Sequence, residues 1–188
     1  MGRWEPDARG RLAQAAFALY GERGFEQTTV AEIAARAGLT ERTFFRHFAD
    51  KREVLFAGAD ALRELLVDTV AKAPASAAPI DAAAAGIEAA GALIQEGEEL
   101  ARARQAIIAA SEELRERELI KLASLASALA QALRRRGVRD PAASLAAEAG
   151  IAIFRIAFER WIEQGGEQDL PQVIRESLDE LKAVTAGR

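Results

Sequence analysis

Thr29-Val30-Ala31-Glu32-Ile33-Ala34-Ala35-Arg36-Ala37-Gly38-Leu39-Thr40-Glu41-Arg42-Thr43-Phe44-Phe45-Arg46-His47-Phe48 is the stretch that decides how this chain folds. Thr29 followed three residues later by Glu32 makes a capping box, and Val30, Ile33, Ala34 and Ala37 form the buried stripe of the helix it starts. Gly38 supplies the left-handed residue that stops that helix, and Thr40 caps a third, short helix through Phe48. Two short capped helices joined across Ala37-Gly38-Leu39 form a helix-turn-helix, whose second helix can enter the major groove of double-stranded DNA. At about 100° per residue, Phe44 and Phe48 face inward. Arg42 and Arg46 then point nearly opposite, with Thr43 and Phe45 on the flanks. Arg42 can pair bidentately with guanine, Thr43 can touch a base or a thymine methyl, and Arg46 and His47 can reach bases or phosphate. The plainer reading is a packing module with solvated arginines; the ordered pattern as a whole favours the groove reader.

Working outward, Leu12, Ala15, Ala16, Leu19 and Tyr20 make one face of a first helix over 7–23 that Gly24 ends. Asp50 and Glu53 predict a second capping box, opening a long fourth helix that carries Leu62, Leu65, Leu66 and Val70. The two prolines of 73–79 mark a linker. Further helices are predicted over 81–96, 98–110, 112–136, 141–164 and 170–184, punctuated by Gly97, Ser111, Gly137 and Gly165-Gly166, with Pro141 and Pro171 in first turns. The expected fold is all-α. Its N-terminal three-helix helix-turn-helix domain (1–55) is joined by a long helix to a C-terminal helical ligand-binding and dimerisation domain (56–188).

Composition narrows the chemistry. The 188 residues contain no cysteine and one histidine, His47. Disulfides, thiolate metal sites and multi-histidine metal centres are therefore excluded, and no cofactor, metal or catalytic residue is expected. The net charge of -4 argues against nucleic-acid binding only if it is uniform. Basic residues from Arg3 to Arg52 nearly balance acidic ones from Glu5 to Glu53, so the acidic excess lies further along. The amino terminus lacks the apolar core of a secretory signal and no stretch approaches a membrane span, so a cytoplasmic protein with no membrane partner is expected.

The first helix ending in Gly24-Phe25, then Thr28-Thr29-Val30, Ile33-Ala34, Ala37-Gly38, Thr43-Phe44-Phe45-Arg46-His47-Phe48 and Lys51, together resemble the TetR family. The resemblance implies a transcriptional regulator rather than an enzyme. It also implies phosphate contacts from Thr29, His47 and Lys51 and base contacts from Thr40, Arg42 and Thr43. The family usually carries tyrosine where Phe45 stands, so the phosphate bond of that hydroxyl is missing and Phe45 is at most an apolar contact.

Beyond the linker the residues speak less specifically. Ile87, Ile94, Ile107, Ile108, Leu122, Phe154 and Phe158 either line a ligand cavity or interdigitate as a solid core. Phe154-Arg155-Ile156-Ala157-Phe158-Glu159-Arg160-Trp161, followed by Asp169-Leu170-Pro171, resembles the acyl-CoA-responsive branch of TetR regulators. That implies a small apolar effector such as an acyl thioester, with Arg102, Arg104 or Arg155 facing its anionic group. The helix over 151–158, apolar nearly all round, is expected to be enclosed on several sides. Trp161 and the stripe Ile174, Leu178 and Leu181 are expected to form a homodimer interface by four-helix packing. The implied function is a repressor released from its operator by ligand. The competing class is a ligand-independent helical protein that binds DNA or a partner.

Overall fold

The computed structural model describes residues 7–165 and 168–187; Arg3, Glu5 and Gly166 lie outside the described residues. Among these residues the chain forms nine α-helices, one 3-10 turn and no strand, which establishes the all-α class. The helices are α1 (Ala8–Arg23), α2 (Val30–Arg36), α3 (Glu41–His47), α4 (Ala59–Lys72), α5 (Pro79–Gln95), α6 (Glu98–Ala109), α7 (Glu112–Arg135), α8 (Ala142–Glu163) and α9 (Leu170–Thr185). No helix among the described residues is long and apolar enough to cross a membrane.

The chain divides into two compact units: the part up to Gly58 together with Arg102–Arg117, and Ala59–Ala101 together with Glu118–Arg188. The contiguous division at 55 thus misses that 102–117 belong with the first helices. Ile107, Ile108 and Leu114 join the core formed by Leu12, Leu19, Ile33, Phe44 and Leu55. Polar ties add to this. Arg104 Nε donates to the Leu55 carbonyl at 2.8 Å and its guanidinium lies 5.0 Å from the Phe56 ring. Arg117 pairs with Glu53 at 2.6 Å. Exposed ion pairs contribute about 0.2–1 kcal/mol each, against about 1.5–3 kcal/mol for each buried aliphatic side chain, so the three apolar residues hold this segment.

Asp50 supplies its half of the predicted box, while the Glu53 carboxylate turns to Arg117, and the element that follows is a different one. Asp50 Oδ1 accepts from the amides of Arg52 at 2.8 Å and Glu53 at 3.1 Å. A 3-10 turn over Glu53–Phe56 follows, and α4 begins only at Ala59. Val54, Leu55 and Phe56 are all buried. Three consecutive residues spaced about 100° apart cannot share one face of an α-helix, so the chain tightens and breaks at Gly58 to bury all three. The fourth helix is correspondingly shorter than predicted.

In the second unit α4 packs on α5, α5 on α8 and α9, and α8 on α9. Glycines set how closely these helices approach. A Cβ on Gly86 would lie 3.0 Å from Val70 Cγ2 and 3.1 Å from the Leu66 carbonyl; one on Gly91 would lie 2.5 Å from Ile174 Cδ1. Two side chains fix helix ends. The Arg136 guanidinium donates to the carbonyls of Val70 (2.9 Å), Ala73 (2.6 Å) and Pro74 (2.7 Å), satisfying the exposed end of α4. Gln95 bridges the start of α9, its Nε2 donating to Asp169 Oδ1 at 2.8 Å and its Oε1 accepting from Leu170 N at 2.6 Å. Pro79, read as linker, is instead the first residue of α5, where its missing N–H leaves nothing unpaired.

Trp161, Ile174 and Leu178 are buried in this unit's own core, and Leu181 is half-buried against it. Trp161, Ile174 and Leu178 are thus turned to this unit's own core rather than outward as expected, while half-buried Leu181 keeps an outer edge. Nor is α8 enclosed all round: Leu145 and Ile156 are 66% and 50% exposed. With Ala149 and Ala152 they recur at the spacing of one outer face. Val184 of α9 is likewise exposed.

Candidate nucleic-acid interface

The turn between α2 and α3 is fixed from three sides. Thr29 Oγ1 accepts from Glu32 N at 3.3 Å, while Glu32 Oε2 accepts from Thr29 N at 2.9 Å, completing the predicted box. The Thr29 amide and hydroxyl, helped by Arg23, hold the Glu32 carboxylate below its usual range. At the other end Gly38 takes φ +66°, with Leu39 N donating to Ala34 O at 2.8 Å and Gly38 N to Ala35 O at 3.0 Å. This is the closed left-handed cap that glycine permits. Arg11 of α1 donates to the Ala37 carbonyl, and Arg23–Glu32 and Arg36–Glu22 pairs tie α1 to α2. No helical periodicity announces these ties, because each joins residues 9 to 26 positions apart on neighbouring helices.

On α3, Thr40 Oγ1 accepts from Thr43 N at 3.2 Å and lies 3.0 Å from Thr43 Oγ1. Phe44 is fully buried and packs on Phe48 with ring centroids 5.5 Å apart. The opposite side carries exposed Arg42 and Arg46, with half-buried Thr43 on one flank and Phe45, 55% exposed, on the other. Arg46 Nη2 lies 3.5 Å from His47 Nε2. Thr29, Thr40, Arg42, Thr43, Phe45, Arg46 and His47 thus fall on α2, α3 and their caps, and the arginines present a solvent-facing, cationic edge. Short, projecting and capped, α3 has the form of a groove-entering helix.

Lys51 has other work. Its ammonium donates to the carbonyls of Phe25 (2.9 Å), Thr28 (3.0 Å) and Glu26 (3.4 Å) and sits 4.3 Å from the Phe25 ring centroid. Its own carbonyl accepts from the Tyr20 hydroxyl at 2.6 Å, and burial, with Asp50 nearby, pushes that hydroxyl's pKa up. An ammonium has three protons to donate, and here all are directed inward at the loop leading into Thr29. We therefore expect Lys51→Met to destabilise the protein by about 1–3 kcal/mol through the carbonyls left unpaired. A fall in melting temperature with an unchanged salt slope of DNA binding is the expected result. A slope reduced by about one unit with stability intact would return Lys51 to the phosphate-contacting group.

The residues predicted to line a ligand cavity separate. Ile87, Ile94, Leu122, Phe154 and Phe158 lie in or against the core of the second unit, where the Phe154 and Phe158 rings stack at 5.7 Å. Ile107 and Ile108 lie in the core of the first. Arg102 and Arg104 belong to the first unit and Arg155 is exposed on α8. Two cavities, of about 430 and 340 Å³, are both lined by residues of the first unit. Among the described residues no group of three or more histidine, cysteine, aspartate or glutamate side chains is placed to hold a metal ion.

Residues 12–57 match the family of bacterial regulatory proteins named tetR, and residues 77–186 match the MftR C-terminal domain. The HTH-type transcriptional regulator TcmR of Streptomyces glaucescens is 34% identical over 90 residues, 48% of this chain and 40% of TcmR, so the match spans less than half of that relative. Among solved structures, SmeT in complex with triclosan is similar with a TM-score of 0.67 at 24% identity, over 94% of this chain and 90% of that one. SmeT is the repressor of the Stenotrophomonas maltophilia multidrug efflux pump SmeDEF. FadR from Bacillus subtilis, in complex with stearoyl-CoA, gives 0.62 at 20% identity over 90% and 95% of the two chains. At these identities the structural likeness establishes the fold. The sequence matches, the second of which takes in more than half the chain, establish the lineage: the protein belongs to the TetR family of bacterial regulatory proteins.

Proposed function

We propose that the protein is a sequence-specific DNA-binding transcriptional regulator that works as a cytoplasmic homodimer and represses its target until a small apolar effector releases it. The observation that carries the DNA-binding part is the exposed Arg42, Phe45 and Arg46 edge, flanked by half-buried Thr43, on a helix whose other side is locked by Phe44. The paired subunits would meet through the outer face of α8 at Leu145 and Ile156, with Val184 of α9 adding to it.

For the effector, the support is the half-buried Phe154–Phe158 pair packed, like Ile94 and Leu122, on the core that holds Ile87, together with the likeness to FadR. An acyl thioester is the ligand class this favours. The second reading, a ligand-independent DNA-binding protein, draws on the close packing at Gly86 and Gly91, which leaves the helices of the second unit little slack. Only a ligand with different affinity for the DNA-bound and DNA-free states shifts operator occupancy. An acyl thioester that raises the melting temperature and weakens operator binding together supports the first reading; one that changes neither supports the second.

The experiment for the DNA-binding proposal is Arg42→Ala tested against an operator selected from random double-stranded DNA. A loss of about 1–3 kcal/mol with relaxed preference at one base position is expected. An equal loss on every sequence would make Arg42 a phosphate contact only.

A further inference from the structure

The smaller cavity lies between the end of α1 and the loop after it (Tyr20, Gly21, Arg23, Gly24, Phe25, Glu26) and the end of α6 (Ala106, Ile107, Ala110, Ser111). Its volume is about 340 Å³ and both walls belong to the first unit. Buried Phe25 and Ile107 supply apolar walls. Small residues keep it open. Gly21 stands inside α1, where glycine weakens a helix, yet a Cβ built there meets nothing within 4 Å, so no close packing demands it.

The charges around the groove fix what it would take. Arg23 is paired with Glu32 at 2.6 Å. The Lys51 ammonium is held on the backbone carbonyls of Phe25, Glu26 and Thr28. Both cations beside the groove are therefore already engaged, and neither is held out to an anionic ligand. Within the groove the Glu26 carboxylate receives the Ser111 hydroxyl at 3.3 Å and retains further acceptor positions. A charge-assisted bond to that carboxylate rewards a hydrogen-bond donor.

We propose that this groove is a binding site for an uncharged aromatic molecule carrying one hydroxyl donor, its ring between Phe25 and Ile107 and its hydroxyl donating to Glu26. The site is separate from the effector reading of the second unit and does not depend on it.

The test is calorimetric titration of the full-length protein with naphthol, and with methoxynaphthalene as the isostere lacking the donor. Saturable binding of naphthol is expected, about tenfold tighter than methoxynaphthalene. Gly21→Leu, which fills open space on an exposed helix turn and should fold as well as the parent, is expected to abolish it. Glu26→Leu is expected to erase the preference for naphthol while leaving a weaker apolar affinity. Absence of saturable binding, or naphthol binding that survives Gly21→Leu unchanged, overturns the proposal. Equal affinity for both compounds in the parent protein overturns the role of Glu26.

Discussion

Replacing Phe44 by alanine is expected to lower stability by about 3–5 kcal/mol and to abolish DNA binding, the largest single loss on the reading unit. Phe44 is fully buried, meets Phe45 edge-on at 5.5 Å and packs on Phe48 at the same distance. It is therefore the post on which a seven-residue helix stands. Such a helix is too short to hold itself in water, so its order comes from packing. Truncating the ring leaves a cavity and frees Phe45 and Arg42 to wander together. Phe44→Leu, which keeps most of the volume, should cost less than half as much and retain binding. Thermal melting and operator titration of both variants check this. Equal DNA affinity in Phe44→Ala and the parent would mean that α3 is not the element that meets DNA.

The second large effect separates the two faces of α8 and α9. Leu178 is buried within its own subunit, so Leu178→Glu places an unpaired carboxylate in a core and should unfold the second unit, at a cost of several kcal/mol. Leu145 and Ile156 are exposed in the single chain. Leu145→Glu with Ile156→Glu should therefore leave helix content and monomer folding intact while dissociating the dimer. Sedimentation velocity and circular dichroism on the two variants distinguish these outcomes. A dimer that survives the double change on α8 would place the subunit interface elsewhere.

Why some of this could be read from the chain and some could not follows from range. The capping box at Thr29 and Glu32, the left-handed stop at Gly38 and the inward Phe44 and Phe48 are set within four or five residues, and all appear in the structure. Helix bounds beyond the linker followed from local punctuation in the same way, to within two residues. What escaped depends on partners distant in sequence. Lys51 is cationic and close to the helix-turn-helix, as a phosphate contact would be, yet its ammonium turns to carbonyls more than twenty residues earlier. The stripe Ile174, Leu178 and Leu181 is the same whether its partner is α5 of the same chain or a helix of another, and periodicity cannot tell the two apart. Position along the chain groups Ile107 and Ile108 with Ile87, whereas the corner between α6 and α7 returns them to the first unit. Three buried residues in a row at Val54 were likewise an available signal against a continuous fourth helix.

That α3 reads DNA sequence can be measured by selecting binders for the purified protein from random double-stranded DNA and comparing its affinity for the enriched site with that for scrambled duplex. A two-fold symmetric site bound about a thousandfold or more tighter than scrambled DNA is the predicted result, with the preference at one position lost in Arg42→Ala. Enrichment of no sequence, or equal affinity for selected and scrambled duplexes at physiological salt, would mean that α3 does not read DNA sequence.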